Sequence, residues 1–134
     1  MAELAATSLL IVEDDHEMRA LLRKVLEKEG FRVTPASDGQ QALAILSAGQ
    51  FAEFDAVVTD LLMPHDGGLE LLAVVHRTRP SLPVIIVTAF GDWDSYSRAL
   101  ELGAAAFISK PLKMAELTSA VHAALARRGA TASP

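Results

Sequence analysis

The chain has 134 residues, 17 acidic and 12 basic, with a net charge of −5 and no cysteine. A content of 51% hydrophobic residues excludes a disordered chain, and a single core is expected, since this length buries roughly two-thirds of its unfolded surface. The missing cysteine excludes disulfide frameworks, thiolate catalysis and zinc fingers, the acid excess disfavours a nucleic-acid face, and no apolar run approaches the ~18 residues of a membrane span. Met1 to Ser8 carry no Lys or Arg ahead of their apolar residues, so they do not read as a secretory signal. A cytoplasmic, single-domain protein is the expectation.

Short apolar runs alternate with segments of helical period. The first run, Leu9 to Val12, precedes an amphipathic helix whose apolar positions are Met18, Leu21, Leu22, Val25 and Leu26. Phe31 to Val33 forms the second run, and Ser37-Asp38 with Gln40-Gln41 reads as the start of the next helix. The third run is Ala56 to Val58, followed by a helix containing Leu71, Leu72 and Val75, capped by Asp66 and ended at Arg79-Pro80. Val84 to Val87 and Ala105 to Ile108 are the last two runs, and Met114, Leu117, Val121 and Leu125 mark the closing helix. Gly30, Gly49 and Gly103 each stand where a helix would end in a left-handed cap. Five β-α repeats predict an α/β doubly wound fold, with a parallel sheet and helices on both faces. The domain is expected over residues 8–128, after a lead at 1–7 and before a flexible tail or linker stub at 129–134.

Ligands of open parallel sheets bind beyond the carboxyl ends of the strands. The first strand ends in Glu13-Asp14-Asp15, the third in Thr59-Asp60, the fourth in Thr88-Ala89 and the fifth in Ser109-Lys110-Pro111. The second ends in Thr34-Pro35-Ala36, without a carboxylate or amine, which makes it an edge and predicts the order 2-1-3-4-5. Glu13, Asp14 and Asp60 on neighbouring strands would repel one another unless a cation neutralised them. An all-oxygen set with room for water suits Mg²⁺, with Mn²⁺ able to stand in for it. Lys110 adds a mobile positive charge and Thr88 a hydroxyl. A metal, an ammonium and a hydroxyl around one aspartate are what phosphoryl transfer onto that aspartate requires.

The pieces LLIVEDD, VVTDLLMPHDGG, VIIVTA and GAAAFISKP occur in that order. In them the chain resembles the receiver domain of bacterial two-component response regulators, of the CheY-like superfamily, from about Ser8 to Arg128. The resemblance implies a flavodoxin-like (βα)5 fold and a Mg²⁺-dependent phosphoacceptor, Asp60. It implies Asp14 as a direct metal ligand, Glu13 acting mainly through water, and the backbone carbonyl of Leu62 completing the protein's share of the shell. Thr88 and Lys110 match the phosphate-sensing hydroxyl and lysine, Phe107 the aromatic switch, and the Lys110-Pro111 bond is expected to be cis. Implied partners are a sensor histidine kinase or phosphotransfer protein and an effector or output domain, met by the fourth helix, fifth strand and fifth helix. A phosphorylation-dependent homodimer through that face is left open. No direct nucleic-acid or membrane contact is expected, any DNA-binding or ATPase output lying outside this chain. The domain would catalyse only its own phosphorylation and dephosphorylation and is not expected to be an enzyme otherwise.

Phe107 stands where the family more often has tyrosine, so its inward state lacks a hydroxyl contact. Leu62 and Phe90, both apolar, are expected to flank the route of attacking water and to slow phosphoaspartate hydrolysis. Plainer readings stand beside these. Asp15 is expected to cap the first helix or to be solvated rather than to bind metal, and His16, His65, His76 and His122 are read as solvated. Trp93 and Tyr96 are either partner anchors or core. Two other functions compete. A Mg²⁺-dependent aspartyl-phosphate phosphatase of the haloacid dehalogenase type would carry its nucleophile after the first strand. A flavodoxin-like cofactor binder would need a hydroxyl- and glycine-rich loop where this chain has three acids.

Overall fold

The computed structural model describes residues 7–50, 53–61, 67–89 and 93–131. In chain order the elements are β1 (Ser8–Val12), α1 (His16–Lys28), β2 (Arg32–Ala36), α2 (Gly39–Ile45), β3 (Ala56–Thr59), α3 (Gly68–Thr78), β4 (Val84–Thr88), α4 (Trp93–Glu101), β5 (Ala106–Ser109) and α5 (Met114–Thr131). All four strand pairings are parallel, in the order β2-β1-β3-β4-β5. The doubly wound α/β arrangement and its strand order are as the sequence predicts.

Each central strand buries both faces, which is why its residues read as an unbroken apolar run. Leu9, Ile11, Val58, Ile85 and Val87 pack against Leu22 and Leu26 of α1 and Leu117 and Val121 of α5. Leu10, Val12, Val57, Val84 and Ile86 point the other way, against Ala42 of α2, Leu71, Leu72 and Val75 of α3, and Ala99 of α4. The alternation follows from the two-residue period of a strand. Pro35 lies within β2, opposite Ile11, which is tolerated because β2 is an edge strand and needs no donor on its outer side.

Helix starts follow the side chains available. Asp15 accepts the Met18 N–H at 2.8 Å and caps α1, as expected. Asp38 accepts the Gln41 N–H at 2.7 Å, while the Gln41 side chain reaches back to the Ser37 N–H at 2.6 Å. For α3 the expectation is corrected: the cap residue is Gly67, with no side-chain hydrogen bond, and Asp66 lies outside the described residues.

Gly30 and Gly103 do take up positive φ, 103° and 84°, after α1 and α4. Gly49 does not follow its helix. It falls within a π-helical turn, Leu46–Gln50, that prolongs α2. Leu21 departs from the predicted apolar face of α1 and is 44% exposed. The sheet begins at Ser8, and α5 continues through Gly129 to Thr131, past the boundary drawn at residue 128. Alanines at 126 and 130 favour this continuation. No helix among the described residues is long and apolar enough to cross a membrane.

Candidate functional site

The parallel ladder places the chemistry by continuing one bond past the strand ends. Glu13 N–H donates to the Ala36 carbonyl at 3.1 Å, Asp60 N–H to Val12 at 3.1 Å, and Lys110 N–H to Thr88 at 2.8 Å. These three residues therefore stand at one carboxyl edge, Glu13 and Asp60 on adjacent strands and Lys110 beyond β4, each held by the strand next to its own. Gly68 fixes the level of Asp60. A Cβ on Gly68 would lie 2.2 Å from the Asp60 carbonyl oxygen, so only glycine lets α3 begin this close to β3. The Thr59 hydroxyl donates to the same carbonyl at 3.0 Å.

Lys110 Nζ bridges two carboxylates, at 2.9 Å from Glu13 Oε1 and 3.0 Å from Asp60 Oδ2. Glu13 and Asp60 are buried, at 2% and 6% exposure, while Asp14 is exposed. One carboxylate oxygen from each of Glu13, Asp14 and Asp60 falls within 4.8 Å of the others. Burial raises the Glu13 pKa above the ordinary carboxylate value. Hydrogen bonds from Lys110 and the Asp15 N–H oppose the rise, and the Asp60 charge adds to it. Burial works to lower the Lys110 pKa, but the hydrogen bonds to Glu13 and Asp60 outweigh it and hold the ammonium above the usual lysine value.

Three carboxylates against one ammonium leave two negative charges, which a divalent cation would cancel. Among the described residues the donors are all hard oxygens, with no histidine or thiolate in the cluster. The residues present fit Mg²⁺ or Mn²⁺. The Lys110-Pro111 bond is cis. Thr88 is fully buried at the end of β4. Ile86 pairs with Phe107 and Thr88 with Ser109, so Thr88 and Phe107 share a face of the sheet, two residues apart in register. Phe107 is half-buried there and meets the Tyr96 ring of α4 edge-on, with centroids 5.1 Å apart and planes at 82°.

Residues 9–122 match the family described as response regulator receiver domain. The chain belongs to that family. This receiver domain is 38% identical over 119 residues to the transcriptional regulatory protein CpxR of Escherichia coli (strain K12), covering 89% of the chain and 49% of CpxR. It is 37% identical over 121 residues to TcrA of Mycobacterium tuberculosis, covering 90% of the chain and 46% of TcrA. The chain thus spans about half the length of these curated relatives. Among solved structures it is similar to a receiver domain protein of Clostridium thermocellum, with a TM-score of 0.86, 28% identity, and 93% and 98% of the two chains covered. A CheY-like receiver domain protein of Methanospirillum hungatei has a TM-score of 0.87 at 28% identity, with the same coverage.

The receiver domain thus brings together Glu13, Asp14, Asp60 and Lys110, with Thr88 tied to Lys110 through the backbone and Phe107 beside it. The expectations for Leu62 and Phe90 fall on residues outside those described, as does His65, and the Trp93 side chain is likewise outside them. Tyr96, expected as either anchor or core, is half-buried against Phe107. His16, His76 and His122 are exposed. His122 approaches Glu29 at 3.4 Å and packs beside Phe31. Sequence reading missed Arg19, whose guanidinium reaches the Glu13 carbonyl at 2.9 Å and the Asp14 carbonyl at 3.4 Å. The available signal was a cation near the start of a helix, where the helix dipole disfavours it.

Proposed function

We propose that this receiver domain accepts a phosphoryl group on Asp60 from a phosphohistidine of a sensor kinase or phosphotransfer protein. The observation that carries this reading is the Lys110 ammonium bridging Glu13 and Asp60, with Asp14 within reach, at the carboxyl edge of the sheet. An Asp60 carboxylate oxygen attacks phosphorus, an acyl-phosphate bond forms, the phosphorus–nitrogen bond breaks, and its electron pair goes to the leaving imidazole nitrogen, which takes a proton from solvent water. Lys110, already at 3.0 Å from Asp60, pairs with an oxygen of the transferred group. Glu13, Asp14 and Asp60 would hold Mg²⁺, joined on the family pattern by the Leu62 carbonyl. Bound there, the cation supplies charge neutralisation to the carboxylate and the incoming phosphoryl oxygens.

The dianion then draws the Thr88 hydroxyl and Lys110 toward it, and Phe107 packs inward behind Thr88. That movement biases the surface of α4, β5 and α5, which is read by an effector or by an output domain elsewhere in a longer protein. Phe107 has no hydroxyl to anchor its inward state, so its edge contact with Tyr96 is the interaction the movement must exchange. In this reading the domain is a cytoplasmic signalling switch whose only chemistry is on itself. Among the described residues nothing at the site favours the phosphatase alternative.

Removing the metal tests the reading. With a small acyl phosphate such as acetyl phosphate as donor, the intact mass is expected to rise by one phosphoryl group when Mg²⁺ is present. Chelation should stop uptake and added Mg²⁺ or Mn²⁺ should restore it. Equal uptake with and without a chelator would contradict the proposed role of the acidic cluster.

A further inference from the structure

The loop joining β1 to α1 carries two of the three acids of the cluster, and their charges push them apart. Several contacts hold its backbone. Glu13 N–H is tied to β2, Asp15 N–H donates to Glu13 Oε2 at 3.1 Å, and the Asp15 side chain caps α1. Arg19 adds a different kind of hold, since one of its nitrogens donates to the carbonyls of both Glu13 and Asp14. Its other terminal nitrogen lies 3.1 Å from His16 Nδ1. A guanidinium has no acceptor, so it is the donor there, and His16 thereby fixes the second arm of the fork. The Asp14 side chain is exposed, so where its carboxylate sits depends on how firmly its backbone is held.

We infer that Arg19 is a positioning residue for the cation site, clamping the backbone from which Glu13 and Asp14 hang. This rests on the reading of the acidic cluster given above. Groups that orient metal ligands without touching the metal commonly contribute about 10–100-fold to affinity. Arg19 can act in two ways whose signs differ. As a nearby positive charge it would weaken cation binding, and its removal would tighten it. As a clamp it holds the ligands in place, and its removal loosens binding. The two hydrogen-bonded carbonyls favour the clamp.

The test is Mg²⁺ titration by calorimetry of the native chain, Arg19→Ala, Arg19→Lys and Arg23→Ala, with thermal unfolding of each. Arg23 lies on the same helix, is exposed, and pairs with Glu27 at 3.1 Å, so it controls for loss of charge. Arg19→Ala is expected to bind Mg²⁺ about tenfold more weakly, with Asp14 and Asp15 amide resonances shifted in the metal-free protein. Arg19→Lys keeps the charge but not the planar fork and should recover part of the loss. Arg23→Ala should bind as the native chain does. If Arg19→Ala does not fold, Arg19→Lys carries the comparison: weaker binding supports the clamp and equal binding overturns it. An Arg19→Ala chain that binds Mg²⁺ as tightly as the native protein, or more tightly, overturns it as well. A native chain that binds no Mg²⁺ overturns the reading of the cluster and this inference with it.

Discussion

Asp60→Asn is expected to abolish phosphoryl uptake while leaving the fold intact. The amide is nearly isosteric with the carboxylate, and Lys110 keeps its contact with Glu13 at 2.9 Å. What disappears is the nucleophile, and among the described residues no neighbouring acid replaces it. Asp14 is exposed, and Glu13 is buried, paired to Lys110 and raised in pKa. The substitution also removes one of three mutually repelling charges, so the metal-free variant should unfold at a temperature no lower than the native chain. Intact mass after incubation with acetyl phosphate and Mg²⁺, followed by peptide mapping, checks both points. Uptake at the native level in Asp60→Asn, or mapping to another residue in the native chain, would contradict the assignment.

Lys110→Ala is expected to have the largest effect on stability. The side chain joins two buried carboxylates, and removing one partner of a buried pair typically costs 3–5 kcal/mol, because the other is left uncompensated. Lys110 is 19% exposed, so water can partly replace it; a loss of about 3 kcal/mol is expected at neutral pH without metal. The sign with pH follows from Glu13. Its folded pKa already lies above the ordinary value, so the folded chain takes up a proton more readily than the unfolded one. The penalty in Lys110→Ala should therefore shrink as pH is lowered through the carboxylate range. Mg²⁺ should stabilise the variant more than the native chain, since no ammonium competes for the carboxylates. Denaturant unfolding with and without Mg²⁺ measures both effects. A variant as stable as the native chain at neutral pH without metal would show that Glu13 and Asp60 do not depend on the lysine.

Much of this architecture is legible in the sequence because its signals are redundant. Unbroken β-branched runs such as Val84 to Val87 declare strands buried on both sides, and the residue after each run is the residue the ladder delivers to the site. The missing charge at Thr34-Pro35-Ala36 places β2 at an edge, where the structure has it. Less legible features depend on geometry between elements. Gly49 reads as a helix end, but the chain continues in a π-helical turn before β3, a local choice with no periodic signature. Gly67 caps α3 with no side-chain hydrogen bond, and Gly68 packs directly on the Asp60 carbonyl, a contact that spacing along the chain does not reveal. The same holds for Arg19, whose partners are backbone carbonyls that every residue possesses. Leu21 fits the helical apolar period, yet it sits just beyond the edge of the face that meets the sheet.

In the proposed switch a phosphoryl group on Asp60, in the presence of a divalent cation, moves Thr88, Lys110 and Phe107. Beryllofluoride, a non-transferable stand-in for that group, tests it directly when added to the isotopically labelled native chain and followed by amide chemical shifts. Shifts are expected at Asp60, Thr88, Phe107 and Lys110 that spread to α4 and α5, require Mg²⁺, and vanish in Asp60→Asn. Unchanged spectra in the native chain with Mg²⁺, or the same shifts in Asp60→Asn, would contradict it.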